Sequence, residues 1–140
     1  MNKTRQDIKK SPGKKKILIV EDDPAVMKLF NLLLTGDGYE VIEADNALPA
    51  LFGATRDTPD LILADLNMPI MNGLELIDQL KAHIDTRDIP IVVVTGSVSE
   101  ESRDEAFKAG CAGYLTKPID ATIFLAEIKK SLQSNQQQRP

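Results

Sequence analysis

A single cysteine, Cys111, stands in a chain of 140 residues, which excludes an intrachain disulfide and a multi-cysteine metal site. A single histidine, His83, lies near Asp85 and Arg87 with no base or metal ligand to support it, and reads as a solvated helix residue. No stretch approaches the ~20 apolar residues that a membrane span needs. The N-terminus is basic, but no apolar run or small-residue cleavage site follows it, which argues against a secretory signal. Neither a Walker pattern nor G-x-G-x-x-G occurs, and Gly53, Gly110 and Gly113 form no phosphate-cradling loop. The expected compartment is the cytoplasm.

What is present is a composition of 42% hydrophobic and 27% charged residues, enough for one domain with a real core. The net charge of −4 is unevenly spread. Residues 1–16 carry seven basic side chains against Asp7 alone, a balance of +6, and the remainder balances at −10. An acidic domain is thus expected over residues 15–133, with a basic, flexible, solubilising tail over 1–14. Scattered charges without aromatics give little support to nucleic-acid or lipid binding by that tail. Residues 134–140 read as a polar, frayed tail.

Between the tails, short apolar runs alternate with helical patterns. Residues 16–20 form a strand buried on both faces, and further strands are expected over Tyr39–Ala44, Asp60–Ala64, Ile91–Val94 and Ala112–Thr116. Pro24 opens a helix carrying Met27, Phe30, Leu33 and Leu34, which Gly36 and Gly38 stop. Asn46 is the expected N-cap of a second helix through about Arg56. A third carries Leu76, Ile77, Leu80 and Ile84 on one face, and a more polar fourth runs from about Ser99 to Ala109. The last shows a stripe of Phe124, Leu125, Ile128 and Leu132. Five strands alternating with five helices predict an α/β fold, a parallel sheet covered on both faces.

The chemistry stands at the strand ends. Glu21-Asp22-Asp23 follows the first strand, Asp65 the third, Thr95-Gly96-Ser97 the fourth and Lys117-Pro118 the fifth. In open α/β sheets ligands bind beyond the carboxyl ends of the strands, where the winding reverses. Glu21, Asp22 and Asp65 would face one another there, and oxygen-only ligands suit Mg²⁺. Asp65 is the nucleophile candidate, since a carboxylate can attack phosphorus and form an acyl phosphate. Lys117 offers a compact positive charge for a phosphoryl oxygen, and Pro118 allows a cis peptide that would aim it inward. Thr95 offers a hydroxyl, and Asn67 a main-chain carbonyl to the metal with its side chain near the path of water. Tyr114 fits a mobile aromatic and a static, half-buried one equally well. Cys111 reads as a small buried apolar residue.

The stretches ILIVEDDP, PDLILADLNMPIMNGLEL, IPIVVVTG and AGCAGYLTKP occur in this order over about residues 15–133. In them the chain resembles the CheY-like response-regulator receiver domain of two-component signalling. The resemblance implies a flavodoxin-like, doubly wound sheet of order 2-1-3-4-5 with five helices. It implies Asp65 as phosphoacceptor, Glu21, Asp22, Asp65 and Asn67 around Mg²⁺, Thr95 as switch hydroxyl, Lys117 as phosphate-binding lysine and Tyr114 as switch aromatic. Glu21 stands where an aspartate is usual, Asp23 is a third acid outside the ligand pair, and Cys111 replaces a small alanine.

The implied function is that of a single-domain response regulator. It takes a phosphoryl group on Asp65 from a histidine kinase or histidine phosphotransfer protein, and catalyses only its own phosphorylation and dephosphorylation. No DNA-binding or catalytic output region is seen after residue 133, so output is expected through a downstream protein target or a phosphate relay. Dimerisation through the last helices occurs in the family, and no single residue here decides it. Two rivals remain: a receiver-fold binding module that is not phosphorylated, and a metal-dependent phosphatase with an aspartyl nucleophile. The phosphatase usually wants a second acid two residues after the nucleophile, where this chain has Asn67.

Overall fold

The computed structural model describes residues 14–96 and 99–138, with side chains up to residue 133. The basic tail before Lys14, Ser97 and the last two residues lie outside the described residues. The element order is β1 (Lys16–Val20), α1 (Pro24–Gly36), β2 (Glu40–Ala44), α2 (Ala47–Asp57), β3 (Leu61–Asp65), α3 (Gly73–Ala82), β4 (Ile91–Thr95), α4 (Glu100–Ala109), β5 (Gly113–Thr116) and α5 (Ala121–Gln138). The strands form one sheet in the order β2-β1-β3-β4-β5, and all neighbours pair in parallel. This is the expected flavodoxin-like arrangement.

Strand alternation sends side chains to two cores. Leu18, Val20, Ile62, Ala64 and Val93 pack with Leu76, Ile77 and Leu80 of α3 and with Ala106 of α4. Ile17, Ile19, Leu61, Leu63, Val92 and Val94 pack with Phe30 and Leu34 of α1 and with Phe124 and Ile128 of α5. Phe30 and Phe124 stack with centroids 5.2 Å apart and planes 15° apart, tying α1 to α5. The central strands are covered on both faces, which is why they read as unbroken apolar runs.

The helix starts are set by capping side chains. Asp23 accepts from the Ala25 and Val26 N–H groups, and Pro24 follows in the first turn. Asn46 caps α2 as expected, Asn72 and Glu75 form a capping box on α3, and Ser99 caps α4. Two sequence expectations shift. α3 stops at Ala82, leaving Ile84 off the helix and 73% exposed. The Thr86 hydroxyl instead donates to the Leu80 carbonyl at 2.6 Å, and Ile89 fills the buried place. At the other end of the chain α5 continues past residue 133 to Gln138.

Candidate functional site

Parallel pairing delivers the polar residues to one edge of the sheet. Beyond the last paired residues, Glu21 N–H donates to Ala44 C=O at 3.1 Å, Leu66 N–H to Val94 C=O at 3.3 Å, and Lys117 N–H to Thr95 C=O at 2.8 Å. These bonds prolong the ladders and fix where the functional side chains leave the backbone. The Lys117–Pro118 peptide is cis.

Glu21, Asp22 and Asp65 each bring a carboxylate oxygen within 4.8 Å of the others. The Lys117 ammonium lies 3.1 Å from Glu21 Oε1 and 3.1 Å from Asp65 Oδ2. The Glu21 and Asp65 side chains are only 1% and 5% exposed, whereas Asp22 is open to solvent. The other Glu21 oxygen accepts from the Asp23 N–H at 3.1 Å. Asp65 Oδ1 accepts from the Asn67 N–H at 2.9 Å, and Asn67 Nδ2 donates to Thr95 Oγ1 at 3.2 Å. Thr95 itself is fully buried as the last residue of β4.

The electrostatics follow from this crowding. Burial, opposed by the Asp23 N–H bond and aided by the Asp65 charge, holds Glu21 above its ordinary value despite the lysine. Burial works against the Lys117 ammonium, but its bonds and charge attraction to Glu21 and Asp65 win, and its pKa is raised. One ammonium against three carboxylates leaves two negative charges uncompensated. An all-oxygen, doubly negative set open to water through Asp22 fits a hard divalent cation.

The acids and the lysine singled out from the sequence thus lie together at this edge. Asn67 and Thr95 join them through one another, a contact the sequence did not announce. Asp23 turns outward to cap α1, and the signal was available in Asp23-Pro24, an N-cap followed by a first-turn proline. Tyr114 is half-buried on β5 and its hydroxyl donates to Ser102 Oγ at 3.2 Å. Arg103 lies over both Tyr114 and Phe107, 5.9 and 5.2 Å from their ring centroids. His83 is exposed. Cys111 is buried, and that burial pushes its thiol up to about 11, so it carries no reactive thiolate near neutral pH.

The family model for the response regulator receiver domain matches residues 17–129. The chain belongs to the response regulator receiver family. Among its relatives, the polar-differentiation response regulator DivK of Brucella anthropi is 39% identical over 118 residues, 84% of this chain and 96% of that protein. A CheY-like receiver domain protein from Methanospirillum hungatei JF-1 superposes with a TM-score of 0.82 at 32% identity, covering 91% of this chain and 100% of that one. The receiver domain of sensor histidine kinase PA1611 from Pseudomonas aeruginosa PAO1 superposes with a TM-score of 0.80 at 26% identity, covering 86% and 99%; that protein has a magnesium ion coordinated in its active site cleft. Receivers interact with histidine kinases and downstream targets, and phosphorylation by a histidine kinase is the family's general function. Among the described residues, no helix is long and apolar enough to cross a membrane.

Proposed function

We propose that this receiver takes a phosphoryl group on Asp65 from a phosphohistidine donor and uses it to switch its protein contacts or to pass the phosphate on. The observation that carries the reading is the placement of the Lys117 ammonium, 3.1 Å from both Glu21 and Asp65, at the sheet edge where the acids converge. An Asp65 carboxylate oxygen attacks phosphorus in line with the donor imidazole. The P–N bond breaks, its electron pair returns to the imidazole nitrogen, and Asp65 becomes an acyl phosphate. Hydrolysis reverses the modification: water attacks phosphorus, the bond to Asp65 breaks, and the carboxylate is regenerated with inorganic phosphate. These two reactions are the only chemistry assigned to the protein.

The residues divide the work by charge. Lys117 shifts its ammonium from the carboxylates to a phosphoryl oxygen, and Thr95 donates its hydroxyl to another. Glu21, Asp22, Asp65 and the Asn67 main-chain carbonyl would hold Mg²⁺, which supplies charge neutralisation to the phosphoryl oxygens; the magnesium in the PA1611 receiver supports this choice of ion. The face of α4, β5 and α5, where Arg103 and Ser102 grip Tyr114, is the surface that repacks toward a downstream target. The working compartment is the cytoplasm.

The direct test is labelling with radioactive acetyl phosphate and Mg²⁺. Asp65→Asn is expected to reduce the hydroxylamine-sensitive label to background, whereas undiminished label in that variant moves the acceptor elsewhere.

A further inference from the structure

The loop between β3 and α3 turns one large apolar side chain to solvent. Leu66 and Met68 are buried, Met71 packs against the core, and Asn72 caps α3 through its bonds with Glu75. Ile70 is 89% exposed, more than any other large apolar residue among those described. Single exposed apolar residues are ordinary and need no function. The backbone is what sets Ile70 apart. At φ +71 it centres a three-residue turn closed by the Met71 N–H on the Pro69 carbonyl at 2.8 Å, a geometry that is rare and strained. A β-branched residue is poorly suited to it, whereas glycine or asparagine adopts it at little cost. The strain secures no packing within the chain, which directs attention to a contact outside it.

The loop is held against the acceptor. Gly73 N–H donates to the Leu66 carbonyl at 2.9 Å, and a Cβ on Gly73 would sit 2.7 Å from the Asp65 carbonyl oxygen. Three residues of chain span at most about 11 Å, so the Ile70 backbone stays within that reach of Gly73 and of the acceptor's strand end. The Asp65 side chain is recessed, only 5% exposed. In-line attack needs the donor phosphorus within about 3.5 Å of its oxygen, and a histidine side chain is short. The surface of a protein donor therefore comes down onto the loops that rim the site, and the loop that begins at Asp65 is one of them. A small phosphodonor such as acetyl phosphate enters the recess without that contact.

We propose that the Ile70 side chain is an apolar contact for the protein that delivers the phosphoryl group, setting how tightly a phosphohistidine donor docks and taking no part in the chemistry. The inference rests on the reading of a phosphohistidine protein as donor. Covering Ile70 in the complex removes apolar surface from water, which offsets the strain carried in the free chain. The contact thus separates donors by their surface: a protein with an apolar patch beside its phosphohistidine is favoured over one with a charged rim there.

Ile70→Asn and Ile70→Leu test it. Asparagine tolerates the positive φ and removes the apolar surface, whereas leucine keeps that surface. The side chain is exposed, so neither change opens a core cavity. The probe is a histidine phosphotransfer protein loaded with radioactive phosphate, its transfer rate followed against receiver concentration, with acetyl phosphate labelling run in parallel. For Ile70→Asn the half-saturating receiver concentration is expected to rise about five-fold to fifty-fold, with the maximal rate and the acetyl phosphate rate within about two-fold of wild type. Ile70→Leu is expected to stay within about three-fold of wild type throughout. An unchanged half-saturating concentration in Ile70→Asn, or an equal loss with acetyl phosphate, overturns the proposal. If acetyl phosphate labels the wild type and phosphohistidine proteins do not, the donor reading falls and this contact falls with it.

Discussion

Replacing Lys117 with methionine would leave Glu21 and Asp65, 1% and 5% exposed, facing one another without a cation. Losing a charge-assisted bond to a buried carboxylate costs on the order of 2 kcal/mol, reduced here by the open side of the site. Glu21 then answers by holding its proton more tightly, since burial and the Asp65 charge already keep it above the ordinary 4.5. A carboxyl raised in the folded state contributes stability that is present at low pH and lost as pH rises through the raised value. Thermal denaturation of Lys117→Met should therefore match the wild type most closely below pH 4.5 and fall behind it as pH rises. Added Mg²⁺ should restore more stability to the variant than to the wild type. An equal deficit at every pH, with no extra response to Mg²⁺, would show that the lysine does not compensate these acids.

At the scale of elements, the loop from β3 to α3 carries the tightest constraints. A methyl group on Gly73 would sit 2.6 Å from Leu66 Cα and 2.7 Å from the Asp65 carbonyl oxygen, backbone that cannot swing aside. Gly73→Ala should cost about 1–3 kcal/mol and slow labelling of Asp65, because the start of α3 has to move off the acceptor's own backbone. A methyl group on Gly36 would meet only open space, so Gly36→Ala should leave labelling unchanged and stabilise α1 by up to about 1 kcal/mol. Urea titration with labelling separates the two; equal effects would deny the close approach.

The same loop holds Ile70 at φ +71, the centre of a turn closed by the Met71 N–H on the Pro69 carbonyl at 2.8 Å, with its side chain 89% exposed. A β-branched residue is strained there and buries little in return. Ile70→Gly should raise the urea midpoint by the equivalent of about 0.5–1 kcal/mol, and a lower midpoint would mean the turn is not strained. None of this was visible in Pro69 and Gly73, which marked a loop but not its torsions. The strands and the helix starts were legible to within a residue or so, because their apolar periods and caps are local, whereas the ends of α3 and α5 were not. Ile84 misled because it continues the α3 period, while the chain leaves the helix after Ala82 and the hydroxyl of Thr86 bonds back to the Leu80 carbonyl, a contact that apolar periodicity does not encode.

For the whole molecule, periodicity predicts a covered parallel sheet but not its order, since strand neighbours are chosen by contacts that no single segment contains. The order β2-β1-β3-β4-β5 followed from the family resemblance, and it is what sets Glu21 beside Asp65 and Lys117 opposite both. The acids and the lysine could be named from sequence because each ends an apolar run. The Asn67–Thr95 bond could not, as it depends on a side-chain direction 28 residues from its partner.

The central claim is that the Asp65 carboxylate becomes the acyl phosphate. Acyl phosphates are reduced by borohydride to the alcohol, so phosphorylation with acetyl phosphate and Mg²⁺, reduction, digestion and tandem mass spectrometry locate the acceptor directly. The account predicts conversion of Asp65 alone to homoserine, dependent on the phosphodonor. Reduction at Glu21, Asp22 or another carboxylate, with Asp65 intact, would contradict it.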